Sequence, residues 1–231
     1  MSLDLLDAQT ALLLATVDSL SDAVLAQPSA LPGWSRGHVL GHIAGNAEGL
    51  GRRARSVIDG VPRAMYESPE TRDADIAWRS QRSLAQHRLA VAATHDDLMR
   101  DLTALPAARL GDEIELRGGL TIRVGDLPLM RLQEVSIHHS DLGTGGYTWM
   151  DWPPELADWA LPRATRMFAA RGEFPVAWLE ADGRRLVLSD ADGPGLRGSS
   201  VEVLAWITGR ASGSGLTPDG IAVVPVAPAW I

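Results

Sequence analysis

Glu134 and His138 stand four residues apart inside the apolar run 127–142, and the upstream segment 34–47 carries His42. Side chains at i and i+4 of a helix lie one above the other, so Glu134 and His138 share a face. His42, delivered from a second helix, would complete a set of one carboxylate and two imidazoles for Zn²⁺ or a similar divalent cation. A catalytic zinc typically has three protein ligands and one open position, whereas a structural zinc usually has four. The chain contains no cysteine, which excludes a thiolate zinc site, disulfides, a cysteine nucleophile and iron–sulfur clusters together. Any sulfur chemistry must therefore use a thiol brought from outside. Imidazole donors favour zinc over magnesium, although nickel, cobalt or iron suit the same ligands. An E-x-x-x-H pair alone also fits a solvated helix face; Leu132, Val135 and Ile137 beside it argue against a wholly wet helix.

The neighbouring histidines carry other expectations. His38 shares a face with His42, and His139 points roughly 100° away from His138 around the helix; neither is expected to be a ligand. Asp141, three residues after His138, can accept that ring's remaining N–H, the support that metal-bound histidines usually have. His87 and His95 lie on a charged helix and are expected in solvent. Trp34 and Trp149 border the ligand-bearing segments and could wall a pocket. There is no G-x-S-x-G elbow, and neither a G-x-x-x-x-G-K loop nor a strand followed by G-x-G-x-x-G.

The elements that must position these groups follow from periodicity and caps. Apolar residues at helical intervals predict a first helix over residues 3–27, ended by Pro28 and Pro32. Ser35 is a good N-cap for a second helix over 36–58, closed by Gly60 and Pro62. Gly37, Gly41, Gly45 and Gly49 form a stripe along it, suited to close approach of another helix or of a ligand. Ser68, Pro69 and Glu70 open a third helix to about residue 105, with a break near Ser80. Residues 112–124 alternate around Gly118 and Gly119 as a hairpin does. Asp126 can cap a fourth helix that Gly143 stops.

Beyond Gly145 and Gly146 the texture changes. Pro153 and Pro154 open a helix to Arg171, two strands flank Asp182-Gly183, Ser199 or Ser200 caps a helix through Ile207, and residues 220–227 read as a last strand. The expected class is α+β: a four-helix bundle over residues 1–148 and a smaller C-terminal α/β domain over 149–231.

Composition bounds the partners. The 231 residues are 45% apolar and 22% charged, with a net charge of −8. That charge argues against nucleic acid, whose readers need basic surface. Asp4 and Asp7 precede the first apolar stretch, unlike a signal peptide, and no span reaches the ~20 apolar residues of a membrane helix. A cytoplasmic location is expected, with no membrane partner.

Three strings, LPGWSRGHVLGHIAGNA, MYESPETRDADIAW and MRLQEVSIHHSDLG, resemble the mycothiol-dependent maleylpyruvate isomerase family, which belongs to the DinB-like metal-binding four-helix bundles. The tail SSVEVLAWITGRASG is similar to that family's smaller C-terminal domain. The resemblance places the family's zinc ligands on His42, Glu134 and His138, the three nominated by spacing. It places a carboxylate-holding arginine on Arg210, a residue that could equally be a surface arginine after a helix. It identifies no mycothiol-binding residues.

The activity it implies is cis–trans isomerisation of maleylpyruvate to fumarylpyruvate, a step in gentisate breakdown, with mycothiol as thiol cosubstrate. Same-fold mycothiol S-transferases, a hydrolase using metal-bound water and a non-enzymatic binding module are the alternatives. The partners implied are a small-molecule substrate and a low-molecular-weight thiol; a monomer is compatible with all of this.

Overall fold

The computed structural model describes residues 3–172, 174–190 and 192–230. The chain divides into two compact units, residues 1–146 and 147–231. The first holds α1 (Leu3–Asp18), α2 (Asp22–Leu25), α3 (Arg36–Asp59), α4 (Pro69–Arg79), α5 (Leu84–Thr103) and α6 (Leu127–Asp141). Helices α1, α3, α5 and α6 close into a four-helix bundle, each touching two of the others, and α4 lies along α3. Leu6, Leu13 and Val17 of α1, Leu40, Ile43 and Leu50 of α3, Val91 and Leu98 of α5, and Leu127, Leu132 and Val135 of α6 are buried between them.

Local chemistry sets the boundaries. Ser35 caps α3 by accepting from the His38 amide, and Gly60, at φ 74°, ends it. Ser68 caps α4 from the Thr71 amide, with Pro69 at its first position. The expected long third helix is two: after Arg79 the chain breaks over residues 80–83, and Ser83 and Gln86 cap α5 reciprocally. The expected first helix is also two, because Ser19 turns its hydroxyl onto the Thr16 carbonyl at 2.7 Å and competes with the helical pattern.

Asp126 does not cap α6. Its backbone is already helical and its side chain makes no cap bond, since the helix is entered through a tight turn over Val124–Asp126. The hairpin pairs β1 (Glu113–Glu115) with β2 (Thr121–Arg123), Ile114 opposite Ile122.

The glycine stripe is a packing face. A Cβ on Gly37 would lie 2.5 Å from the Ser80 carbonyl oxygen, one on Gly41 2.8 Å from the Arg79 Cβ, and one on Gly49 2.8 Å from the Met65 side chain. Only Gly45 has room, with its nearest neighbour at 3.5 Å. The stripe therefore lets α4 and the segment leading into it sit directly on the α3 backbone.

The second unit holds α7 (Pro154–Arg171), β3 (Trp178–Ala181), β4 (Arg184–Val187), β5 (Gly195–Gly198), α8 (Ser200–Ile207) and β6 (Thr217–Asp219). Its sheet order is β4-β3-β5-β6, with β3 and β5 parallel and the other pairs antiparallel. Asp182 and Gly183, at φ 49° and 78°, make the two-residue turn between β3 and β4. Helices α7 and α8 pack on each other and touch the sheet.

The expected strand over residues 220–227 is absent. Pairing ends at Asp219, Gly220 turns at φ 72°, Pro225 has no N–H to donate, and Val226 is 92% exposed.

His87 and His95 are buried rather than solvated. His95 bonds Asp7 at 3.1 Å and Thr10 at 3.3 Å, and its buried place follows from facing α1 rather than from its charged neighbours. His87 is 1% exposed; burial, reinforced by the Arg82 charge, holds its pKa down to about 4.

Two stability predictions follow from this packing. Gly37→Ala should destabilise the protein by about 1–3 kcal/mol by overpacking, while Gly45→Ala should be neutral or stabilising through helix propensity; urea unfolding of both variants checks the contrast. Between pH 6.5 and about 4 the unfolded chain protonates His87 and the folded chain does not. Stability should therefore fall as pH drops through that window, by up to about 3 kcal/mol from this group. His87→Phe should flatten that part of the pH profile relative to wild type.

Candidate metal centre

Helix α3 carries His42 to the middle of the bundle, and α6 brings Glu134 and His138 to meet it. One donor atom from each residue lies within 4.8 Å of the other two. The His42 Nε2 is 3.0 Å from Glu134 Oε2, and the His138 Nε2 is 3.7 Å from the same oxygen. The two imidazole rings meet edge to face, with centroids 4.6 Å apart. Side-chain exposures of 7%, 13% and 14% for His42, Glu134 and His138 show a group sunk in the protein yet not sealed.

Supporting contacts fix the orientation. His138 Nδ1 lies 2.8 Å from Asp141 Oδ2, so the proton belongs on Nδ1 and Nε2 offers its lone pair toward Glu134. Trp34 meets the His42 ring at 5.5 Å and walls one side.

Arg131, one turn before Glu134, has no exposed surface. Its Nη1 donates to the Ile43 carbonyl at 2.8 Å and to Asn46 Oδ1 at 2.9 Å, tying α6 to α3 beside both donor sets. Arg72 of α4 brings Nη2 to 3.3 Å from His42 Nδ1. Tyr66 lies under that guanidinium, 5.8 Å from its ring centroid, and lines a cavity of 470 Å³ with Arg53, Met65, Glu115 and Leu116.

Electrostatics leave His42 and Glu134 deprotonated at neutral pH. Burial lowers the His42 pKa to about 4 against the opposing pull of Glu134. Burial pushes the Glu134 carboxyl up, but the hydrogen bond from His42 and the positive charges around it outweigh that and hold it at about 2. Since His42 is neutral at pH 7, Arg131 supplies charge that persists there; its own pKa, lowered by burial to about 10, leaves it cationic. Burial, then the Glu134 charge, raises the Tyr66 pKa.

The donor set fits a divalent cation: two imidazoles and one carboxylate, close enough to share bonds of about 2 Å each, with a carboxylate orienting one imidazole.

The other histidines of these segments serve the fold. His38 closes the cap with Ser35 Oγ at 2.8 Å, and His139 meets Thr16 Oγ1 at 2.7 Å against α1. Arg210 stands in the second unit beyond α8, its Nη1 donating to the Thr208 carbonyl at 2.5 Å. Sequence reasoning missed Arg72, Tyr66 and Arg131. All three sat in the strings that carried the resemblance, and Arg131 shares the face of Glu134 at i−3.

Comparison with known proteins places the chain in a family. Residues 6–143 match the family model described as the mycothiol maleylpyruvate isomerase N-terminal domain. Two solved structures, a crystal structure of the mycothiol-dependent maleylpyruvate isomerase and one of its histidine-to-alanine mutant, match with a TM-score of 0.89 at 25% identity, covering 99% of this chain and 95% of theirs. No curated protein sequence matches significantly. With more than half of its length matched by that model, the chain belongs to the mycothiol maleylpyruvate isomerase family.

Proposed function

We propose that this protein is a zinc- and mycothiol-dependent isomerase that converts maleylpyruvate to fumarylpyruvate. The observation that carries the reading is the convergence of His42, Glu134 and His138, partly accessible, in a chain without cysteine. His42, Glu134 and His138 would hold the cation, with Asp141 setting the His138 ring. When bound, a divalent cation supplies the Lewis acidity that makes a thiol a thiolate at neutral pH. Arg131 keeps Glu134 anionic and holds α3 and α6 at a fixed spacing.

The reaction needs a nucleophile that leaves again. The thiolate sulfur adds to one alkene carbon and the π electrons move into the conjugated carbonyl as an enolate. The former double bond, now single, rotates; the electrons return and expel the thiolate, leaving the trans alkene and regenerating the thiol. A thiol of pKa near 8.5 is mostly protonated at pH 7, so the step depends on its deprotonation. Arg210, carried by the family's smaller domain, is assigned to a substrate carboxylate, for which a planar guanidinium offers a two-point grip.

A transferase that stops after addition would use the same residues. Product analysis separates the two: an isomer with thiol regenerated supports the isomerase, and a stable thioether conjugate supports transfer.

His42→Ala and Glu134→Ala should each abolish stoichiometric zinc binding and thiol-dependent turnover while the fold persists by circular dichroism. Full activity in metal-free protein would refute the assignment. Asp141→Ala should weaken zinc affinity by about 10–100-fold, read by competition with a chelating dye; an unchanged affinity would remove Asp141 from the site.

A further inference from the structure

Two arginines of α4 face α3, and only one is satisfied. Arg79 donates Nη1 and Nη2 to Glu48 at 3.0 and 2.9 Å and Nε to Asp75 at 2.7 Å, as a structural arginine should. Arg72 is equally withdrawn, its side chain 11% exposed, but its one carboxylate partner is the adjacent Asp73, whose own side chain is 70% exposed. A solvated pair of that kind contributes little. The Arg72 Nε is buried with no hydrogen-bond partner among the described residues; the rest of the guanidinium bonds the Tyr66 hydroxyl, and Nη2 lies 3.3 Å from His42 Nδ1. Buried donors left unmade are costly and rare.

The contact to His42 depends on which imidazole nitrogen holds the proton. With the Nε2 proton donated to Glu134, Nδ1 has a lone pair for Arg72 to reach. The Nε and Nη2 edge of Arg72 is the one suited to gripping a carboxylate at two points, and neither atom is held by an acid among the described residues.

We propose that Arg72 is a carboxylate-binding residue of this site: its Nε and Nη2 edge, beside His42 on the tightly docked α4, grips one carboxylate of a dicarboxylate substrate. The inference rests on the reading of the site given under Proposed function and adds a second arginine to it.

The test uses zinc-loaded protein and succinate, a saturated diacid that cannot accept a thiolate, as a binding probe in calorimetry. Arg72→Met should weaken succinate binding at least 30-fold and raise the KM for maleylpyruvate by a similar factor, with kcat changed less and zinc content equal to wild type. Arg72→Lys should recover part of the affinity, and serves as the variant to read if the methionine protein does not fold.

Unchanged succinate affinity in both variants overturns the proposal, as does wild-type protein that fails to bind succinate. So does loss of zinc from Arg72→Met, which would make the residue a support of His42 instead. Wild-type protein that binds succinate through Arg72 but shows no thiol-dependent turnover would sink the isomerase reading and leave the carboxylate site standing.

Discussion

Arg131 is the interaction on which the site's geometry depends. A guanidinium with no exposed surface must have its charge answered locally, and Glu134, one turn along the same helix, is the carboxylate whose charge it feels. Its bonds to the Ile43 carbonyl and to Asn46 fall just after His42 on the opposing helix. One side chain thereby ties α6 to α3 beside the donors and adds, after His42 and His138, to the charges that hold Glu134 ionised.

The second constraint is backbone contact. Helix α4 lies on α3 where side chains are missing at Gly37 and Gly41, and that closeness lets Arg72 lie against an imidazole rooted in α3. Helix propensity is sacrificed in α3 for this, roughly 1 kcal/mol for each glycine. The return is a cationic wall beside the His42 ring, opposite in character to the apolar wall that Trp34 provides.

Much of this was legible in the sequence because it is local. Caps at Ser35, Ser68 and Ser199, the Asp182-Gly183 turn and the pairing of Glu134 with His138 all depend on residues within four positions of each other. The glycine stripe was legible as a close-contact face but not as to its occupant, since nothing local says what packs there. His87 and His95 were misjudged because neighbouring charges describe a helix's solvent side, while these two rings point inward among residues distant in the chain. The expected final strand failed because β-branched residues alone cannot pair when a turn at Gly220 and a proline at 225 remove geometry and donor. Arg72 was invisible as a functional residue for the same reason as the histidines: its partner, His42, is thirty positions away and on another helix.

Two of the three donors, and the acid that steers one of them, ride on α6, so their mutual geometry is as rigid as a helical turn. Only His42 arrives from elsewhere. An ion lodged among them would rivet α3 to α6 and, by mass action, favour the folded state over the unfolded one. Metal starvation would then do more than silence the molecule. It would loosen the bundle at its centre, so that the empty form opens to a protease more readily than the loaded one.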